Sequence, residues 1–306
     1  MHSLTLVAAV PSMFELLLSF IFLILLVLGG YGLALVVMYW KVSGYYRSTG
    51  RSFYFLGVTG TLVFYLQIIR AVVLQLWWLL SKGANHQKPL LDKHSEQDAV
   101  LFVHGFHMSG SCFWGFRTYL ERRGLDTFSL NLGRPYINPA RYIDSLHRAL
   151  GDTVAKSATG QIHLVAHSMG GLICRMLLER YPQDRQLIRS IVTLGTPHGG
   201  TLAVSALSLP WLQRLFHPDS ELLHSLSTFQ QSAPDLPVMT LGSRNDLVVY
   251  PLEYALLDGT TRVRMCAISH VGMLTEKRVY KRVYLWLHRQ QDRLHNAPSD
   301  KEPGLS

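Results

Sequence analysis

The pattern of hydrophobic positions divides the chain at about residue 81. Residues 13–39 are almost wholly apolar, with Glu15 at their edge, and about 20 such residues are enough for a helix to cross a bilayer. A cleaved signal peptide is the competing interpretation, but it typically begins with a basic region, and the first twelve residues contain no Lys or Arg. We therefore predict a retained transmembrane helix over about 13–39.

A second apolar stretch covers residues 53–80, although Gln67 and Arg70 interrupt it. An Arg near the centre of a bilayer costs on the order of 3 kcal/mol unless it faces a partner helix or reaches the interface. We predict a second transmembrane helix here and keep an interfacial or re-entrant helix as the alternative. Residues 1–81 then form a membrane anchor, which a polar linker at 82–97 joins to the rest of the chain.

From residue 98 onward, short apolar runs of strand length alternate with amphipathic segments of helical length. This alternation is typical of a parallel sheet covered by helices on both faces. The predicted fold class is therefore α/β, with a mostly parallel sheet of about six strands in a domain over 98–292 and a loose tail over 293–306. Strands are predicted at Ala99–Val103, Asp126–Leu130, Ile162–Ala166, Ile188–Leu194, Val238–Leu241 and Val263–Ala267, and helices at Ser111–Arg123, Ala140–Ala155, Met169–Tyr181 and Thr275–Gln290.

Composition supports the same division. The 306 residues are 48% hydrophobic and 16% charged, and residues 1–81 hold one acidic and four basic side chains. No nucleic-acid-reading motif accompanies the formal net charge of +9, so we expect no nucleic-acid partner and favour anionic lipid headgroups. The three cysteines, Cys112, Cys174 and Cys266, are too few for a disulfide framework and form no metal-binding pair, which indicates apolar core positions.

Ser168 lies in the segment with the strongest chemical signal, VAHSMGGL at 165–172. An apolar strand runs into this segment and a helix follows it, and the residues two before and two after the serine are Ala166 and Gly170. Small residues there let a strand turn sharply into a helix and hold the hydroxyl out, and the helix N-terminus favours an oxyanion nearby. Ser168 is therefore the candidate nucleophile, against the alternative of an ordinary serine in a β–α turn.

An apolar strand ending in His104-Gly105-Phe106 lies upstream of this serine. Such a loop can supply half of an oxyanion hole, in which the backbone N–H groups of Phe106 and Met169 receive the developing negative charge. A strand followed by His-Gly is a weak signal by itself, and its order relative to the serine segment strengthens it.

Asp246 follows the apolar run Val238–Leu241 after a short polar turn. A carboxylate at that place could fix the tautomer of a histidine and stabilise its charged form. Asp235 and Asp258 are the competing carboxylates, but neither follows the end of a predicted strand. Capping of a helix is the alternative role for Asp246.

His270 is the candidate general base among 14 histidines. It lies one loop after the last predicted strand and completes the chain order Ser, Asp, His. His198, in TLGTPHGGT, is the strongest rival. We expect His167 to point the wrong way along the turn and His104 to shape the oxyanion loop. No metal-ligand spacing such as HExxH occurs, so no metal ion is expected.

The segments LFVHGF, VAHSMGGL, TLGTPHGGT, SRNDLVV and SHVGML together resemble the α/β-hydrolase superfamily, and within it the bacterial lipases and related ester hydrolases. The resemblance covers about residues 98–290 and implies hydrolysis through an acyl-enzyme without a cofactor. It implies one role for each candidate: Ser168 as nucleophile, Asp246 as acid, His270 as base, and Phe106 with Met169 as oxyanion donors. The linker at 82–97 is too short for the extra strands of larger members, which implies a minimal α/β-hydrolase fold.

An insert at about 201–235 precedes the strand that leads to Asp246, and its apolar residues recur at helical spacing. We predict a cap, either a lid or the wall of an acyl pocket, with a surface helix packed on the sheet as the alternative.

A domain tethered close to a bilayer meets lipid esters at high local concentration. The sequence thus predicts a membrane-anchored lipase or esterase for lipid or other hydrophobic esters, as an integral protein of a bacterial inner membrane. An acyltransferase with the same triad and a non-catalytic scaffold are the alternatives, and the side of the membrane stays open.

Overall fold

The computed structural model describes residues 98–133, 139–207 and 210–295, together with residues 19, 33, 36–50, 62, 65–67, 69, 70 and 73. The chain divides into two compact units, Met1–Arg51 and Ser52–Ser306. In the first unit, residues 36–48 are helical. The second unit contains the sheet and the candidate site residues.

The predicted membrane segments fall largely outside these ranges. Residues 13–39 and 53–80 are described at a few helical positions, and the linker at 82–97 lies wholly outside the described residues. Within the described part of the chain, no helix combines the length and the apolar character needed to cross a membrane. The two transmembrane helices therefore stay a prediction.

The sheet has six strands in the order β2-β1-β3-β4-β5-β6, and every neighbouring pair is parallel. The prediction of a parallel sheet of about six strands is confirmed. Because the strands all run the same way, the loops that carry the candidate residues leave the sheet at one edge. The strands are β1 Ala99–Val103, β2 Thr127–Leu130, β3 Ile162–His167, β4 Ile188–Leu194, β5 Val238–Ser243 and β6 Thr261–Met265.

Helices follow most of the strands, as the alternation predicted. The α-helices from residue 98 onward are α1 Trp114–Glu121, α2 Pro139–Val154, α3 Met169–Arg180, α4 Ala203–Leu207, α5 Pro210–Phe216, α6 Glu221–Ser225, α7 Phe229–Ser232 and α8 Lys277–His295. Short 3-10 helices occupy Gly110–Phe113, Pro182–Leu187, Leu252–Ala255 and Val271–Leu274.

Apolar side chains cover both faces of the sheet. Along β1, Leu101 and Val103 pack in a cluster with residues of α2 and α3, whereas Val100 and Phe102 pack in a second cluster with residues of α1 and α8. Successive strand residues point to opposite faces, so a strand with helices on both sides must be apolar at every position. This is why β1 is recognisable as a continuous apolar run.

Several element boundaries differ from the prediction, and so does the burial of one cysteine. Strand β6 covers Thr261–Met265 and not Val263–Ala267, because it is an edge strand in which polar residues alternate with Val263 and Met265. Helix α8 covers Lys277–His295 and not Thr275–Gln290, so it also extends three residues beyond the predicted end of the domain at 292. Cys112 and Cys174 are buried, as expected for core positions, but Cys266 is half-buried.

Candidate active site

Ser168 occupies a strained turn between β3 and α3. Its backbone has φ 54° and ψ −128°, a conformation that costs a residue with a side chain on the order of 1–3 kcal/mol. The Ser168 N–H donates to the carbonyl of Leu194 at 2.9 Å, which ties the turn to the end of β4. The side chain is half-buried, so the hydroxyl stands at the carboxyl edge of the sheet and is not packed in the core.

Two glycines allow the backbone to approach this turn. A Cβ at position 170 would lie 2.5 Å from the Val103 carbonyl oxygen, and a Cβ at position 105 would lie 2.7 Å from the Cβ of Ser168. The first contact means that α3 leaves the elbow directly over the end of β1. The second means that the loop after β1 lies against the serine. The small residues that the sequence shows around Ser168 are therefore required by packing.

Replacing Gly170 with alanine is expected to lower the free energy of unfolding by about 3 kcal/mol, because the new Cβ would overlap backbone that cannot move alone. In a domain of this size the thermal midpoint should fall by roughly 10 °C. Gly151→Ala is the matched control: nothing lies within 4 Å of a Cβ there, so it should stabilise α2 by up to about 1 kcal/mol. Circular dichroism melts of the full chain in detergent measure both, and equal midpoints would contradict the packing argument.

Asp246 and His270 form a buried pair. Asp246 Oδ2 lies 2.8 Å from His270 Nδ1, and its Oδ1 accepts the backbone N–H groups of Val248 and Val249 at 2.8 and 2.9 Å. Both carboxylate oxygens therefore have partners, and the acidic side chain faces one particular nitrogen of the ring. The arrangement can hold the proton on Nδ1 and leave Nε2 as the nitrogen that takes up a proton.

The competing carboxylates lie in other surroundings. Asp258 is exposed and pairs with Arg262. Asp235 is exposed. Burial lowers the pKa of Arg185, and the charge of Asp235 opposes that shift. Of the three candidates, Asp246 is the one that contacts His270.

The Asp246–His270 pair lies near the turn that carries Ser168, as the contacts of neighbouring residues show. A Cβ at position 195 would lie 3.2 Å from both His270 Nδ1 and Asp246 Oδ2, and residue 194 accepts the Ser168 N–H. The rings of His167 and His270 are 4.7 Å apart. His270 therefore packs against the residue that directly precedes Ser168.

The rival histidines are buried, and burial is the largest cause that lowers the pKa of each. The pKa of His104 falls to about 4, and those of His167 and His198 lie well below the usual value. His104 Nε2 accepts the Leu132 N–H at 2.9 Å, so Nδ1 carries the proton that it donates to the Gly105 carbonyl at 2.8 Å. Both ring nitrogens of His104 thus hold the loop after β1 in place.

The predicted oxyanion donors flank the serine. Met169 is the first residue of α3, and the first N–H groups of a helix have no partner within it. Phe106 follows the glycine that lies against the Ser168 side chain. Both residues are half-buried, so two backbone segments and the positive end of α3 converge at Ser168.

The insert forms four short helices, α4–α7, and it lies beside this site. Trp211 of α5 contacts Phe106, with the ring centroids 5.5 Å apart. Val204, Phe216 and Leu223 pack around Leu172 of α3, with Met169 against the same cluster. The apolar stripe seen in the sequence therefore faces the helix that begins at the serine.

A buried arginine of α3 fastens the second half of the insert. Arg175 donates to the carbonyls of Leu226, Ser227 and His198, and burial lowers its pKa to about 10. Sequence reasoning missed this residue, because the carbonyls that it contacts lie 23 to 52 positions away.

Two further residues hold the loop around His270, and the sequence did not predict these contacts. His167 Nε2 donates to the backbone carbonyl of His270 at 3.1 Å, so His167 points toward the histidine loop and supports it from the β3 side. Asn245 Oδ1 accepts the Ala267 N–H at 2.7 Å, which ties the turn before Asp246 to the loop before His270. Each of these residues is next to a candidate site residue in the sequence, and that position is the one feature of the sequence that pointed to a role for it.

Comparison with known proteins agrees with this architecture. Residues 98–240 match the family model described as alpha/beta hydrolase fold, a range that includes Ser168 and ends before Asp246 and His270. Two proteins named probable esterase PIR7A, from Oryza sativa subspecies indica and japonica, are each 32% identical over 88 residues. These matches cover 27% of this chain and about a third, 34%, of the rice proteins.

Solved structures show the same fold at low sequence identity. The mature form of the Bacillus licheniformis lipase BlEst2 aligns with a TM-score of 0.52 and 19% identity, over 66% of this chain and 96% of that one. Aspergillus fumigatus lipase B aligns with a TM-score of 0.52 and 18% identity, over 60% of this chain and 51% of that one. The sheet order, the serine elbow and these likenesses lead to one conclusion: the part of the chain that forms the sheet and its helices has the α/β-hydrolase fold and resembles lipases and esterases of known structure.

Proposed function

We propose that the protein is a serine hydrolase that cleaves carboxylic esters of lipids through an acyl-enzyme intermediate. One observation carries the proposal: Ser168 stands at a strained elbow, the ring of the adjoining His167 lies 4.7 Å from that of His270, and His270 Nδ1 lies 2.8 Å from Asp246 Oδ2. A strained serine turn is retained when surrounding structure holds it, and an ordered Asp–His pair beside it is the arrangement that activates a hydroxyl.

The proposed reaction has two stages. His270 Nε2 takes the proton of the Ser168 hydroxyl as Oγ bonds to the ester carbonyl carbon, and the carbonyl oxygen gains a negative charge that the N–H groups of Phe106 and Met169 accept. The alcohol leaves with the proton from His270. Water then attacks the acyl-enzyme and gives its proton to His270, and the acid departs as Ser168 regains a proton.

Apolar surroundings support a lipid ester as substrate. Met169 belongs both to the predicted oxyanion hole and to the cluster that joins the insert to α3, and Trp211 covers Phe106. An acyl chain bound at Ser168 would therefore lie along apolar side chains of α3 and the insert, whose burial stabilises the complex in proportion to the area removed from water. This supports the insert as the wall of an acyl pocket.

The proposal includes attachment to a membrane, as an integral protein of a bacterial inner membrane. Residues 13–39 would span the bilayer. For residues 53–80 we favour the interfacial helix, because Gln67, near the middle of that stretch, is hydrogen-bonded to Glu276 at 3.1 Å. A spanning helix would put residue 67 near the bilayer centre. An α/β domain that contacts residue 67 could not lie at that depth.

A substrate panel tests the proposal. Full-length protein in mixed micelles should hydrolyse long-chain acyl glycerols or phospholipids, and Ser168→Ala protein should release no fatty acid above background. Cleavage of short p-nitrophenyl esters without any long-chain ester would contradict the lipid assignment. Transfer of the acyl group to added alcohols in place of water would identify an acyltransferase, and failure of a fluorophosphonate probe to label the wild type would identify a non-catalytic scaffold.

A further inference from the structure

Gln67 is a polar residue in a mostly apolar segment, and both the oxygen and the nitrogen of its side-chain amide are hydrogen-bonded. It is 9% exposed. Its Oε1 accepts the Ser269 N–H at 3.3 Å, and its Nε2 donates to Glu276 Oε1 at 3.1 Å and to the Ala267 carbonyl at 3.4 Å. Both backbone partners belong to the loop that leads from β6 to His270.

That loop has an unusual backbone, and two other side chains also bond to it: Arg278 donates to the Ala267 carbonyl at 3.4 Å and His167 to the His270 carbonyl at 3.1 Å. Ala267 has φ 56°, a conformation that residues with a side chain rarely adopt. Asn245 accepts the Ala267 N–H on one side, and Gln67 takes the Ala267 carbonyl and the Ser269 N–H on the other. The backbone directly before His270 is thus held between the Asp246 turn and the apolar segment.

The helical residues around Gln67 present two different faces. Leu62, Leu66, Ile69 and Val73 are 59%, 55%, 51% and 59% exposed, and their spacing places them on one side of a helix. Gln67 lies on the other side. Arg70, one turn further on, acts on Tyr280 of α8: burial raises the pKa of that phenol, and the charge of Arg70 opposes the shift. The Gln67 side chain thus faces the catalytic domain, whereas the apolar stripe and Arg70 are exposed.

We propose that Gln67 is a positioning residue for His270, through which the apolar N-terminal segment holds the loop that carries the base. The inference rests on the proposed function, since His270 needs exact placement only if it transfers a proton at Ser168. The apolar segment is then part of the catalytic unit, because the side-chain amide of Gln67 bonds to the Ala267 carbonyl and the Ser269 N–H. A displacement of about 1 Å in a catalytic group can lower a rate by roughly 100-fold.

The test uses full-length protein in detergent and a short soluble ester, so that binding to lipid does not enter the measurement. Gln67→Met keeps the length of the side chain and removes its hydrogen bonds. A fluorophosphonate, whose phosphorus bonds to the Ser168 oxygen as fluoride leaves, counts the intact sites. We expect kcat per titrated site to fall at least tenfold with KM changed less than twofold. Gln183→Leu, in an exposed position, is the control and should match the wild type.

An exchange of charge separates positioning from a loss of folding. Gln67→Glu alone would place a carboxylate against Glu276 and should also lower kcat per site. The double variant Gln67→Glu with Glu276→Gln keeps the acceptor for the Ser269 N–H and restores a donor–acceptor pair between positions 67 and 276. The bond to the Ala267 carbonyl stays lost, so the double variant should recover part of the rate that Gln67→Glu loses. An unchanged kcat per titrated site in Gln67→Met, or no recovery in the double variant, would overturn the proposal. Failure of the wild type to label at Ser168 would instead overturn the proposed function.

Discussion

Ser168→Ala protein is expected to lose ester hydrolysis by about 10⁵- to 10⁶-fold in kcat, with KM little changed. The reason is chemical: alanine has no oxygen to bond to the carbonyl carbon, and His270 then has no proton to take. The elbow itself should survive, since its main contacts are the Ser168 N–H to the Leu194 carbonyl and the close approach of Gly170 to β1. The measurement is steady-state hydrolysis of an ester of the panel, with thermal melts to compare folding.

The matched control is Ser225→Ala. Ser225 is exposed in α6 and donates to the Leu222 carbonyl at 3.0 Å, so its loss should leave kcat within twofold of the wild type. A Ser168→Ala protein that keeps more than a thousandth of the wild-type kcat, after exclusion of contaminating esterase, would contradict the assigned nucleophile.

Asp246→Asn is expected to lower kcat by about 10⁴-fold, although the substitution changes the shape of the side chain hardly at all. Asp246 Oδ1 accepts the N–H groups of Val248 and Val249, so an asparagine must keep its carbonyl oxygen at that position. Its NH₂ group then faces His270 Nδ1 and donates to it. The imidazole proton is forced onto Nε2, the nitrogen that should accept the proton of Ser168.

Asp258→Asn provides the comparison for this variant. Asp258 is exposed and pairs with Arg262, so the same chemical change there should leave kcat within twofold. Kinetics on a soluble ester, with fluorophosphonate titration to count sites, measure both proteins. An Asp246→Asn protein that retains a tenth of the wild-type kcat would exclude Asp246 as the acid of the triad.

The sequence predicted the structure well where the burial or the size of residues close together in the chain determines it. Buried parallel strands are mostly apolar on both faces, so β1 was visible as a continuous apolar run and β3 and β4 as apolar runs with a few polar positions, all within a residue of their observed bounds. The elbow was visible for a similar reason: a close helix–strand crossing demands small residues, and Ala166 and Gly170 are separated from Ser168 by one residue each. The edge strand β6 was displaced by two residues, because an edge position relaxes the apolar requirement.

The sequence alone determined the α/β class, the six parallel strands and the serine turn, since each depends on the spacing and size of neighbouring residues. Tertiary structure decided which carboxylate meets His270, which way His167 points, and that Gln67 and Asn245 reach the loop at 267–269. Those contacts join residues 22 to 202 positions apart, and chain spacing carries no information about which distant polar groups meet. The packing of the sheet and its helices supplies that information.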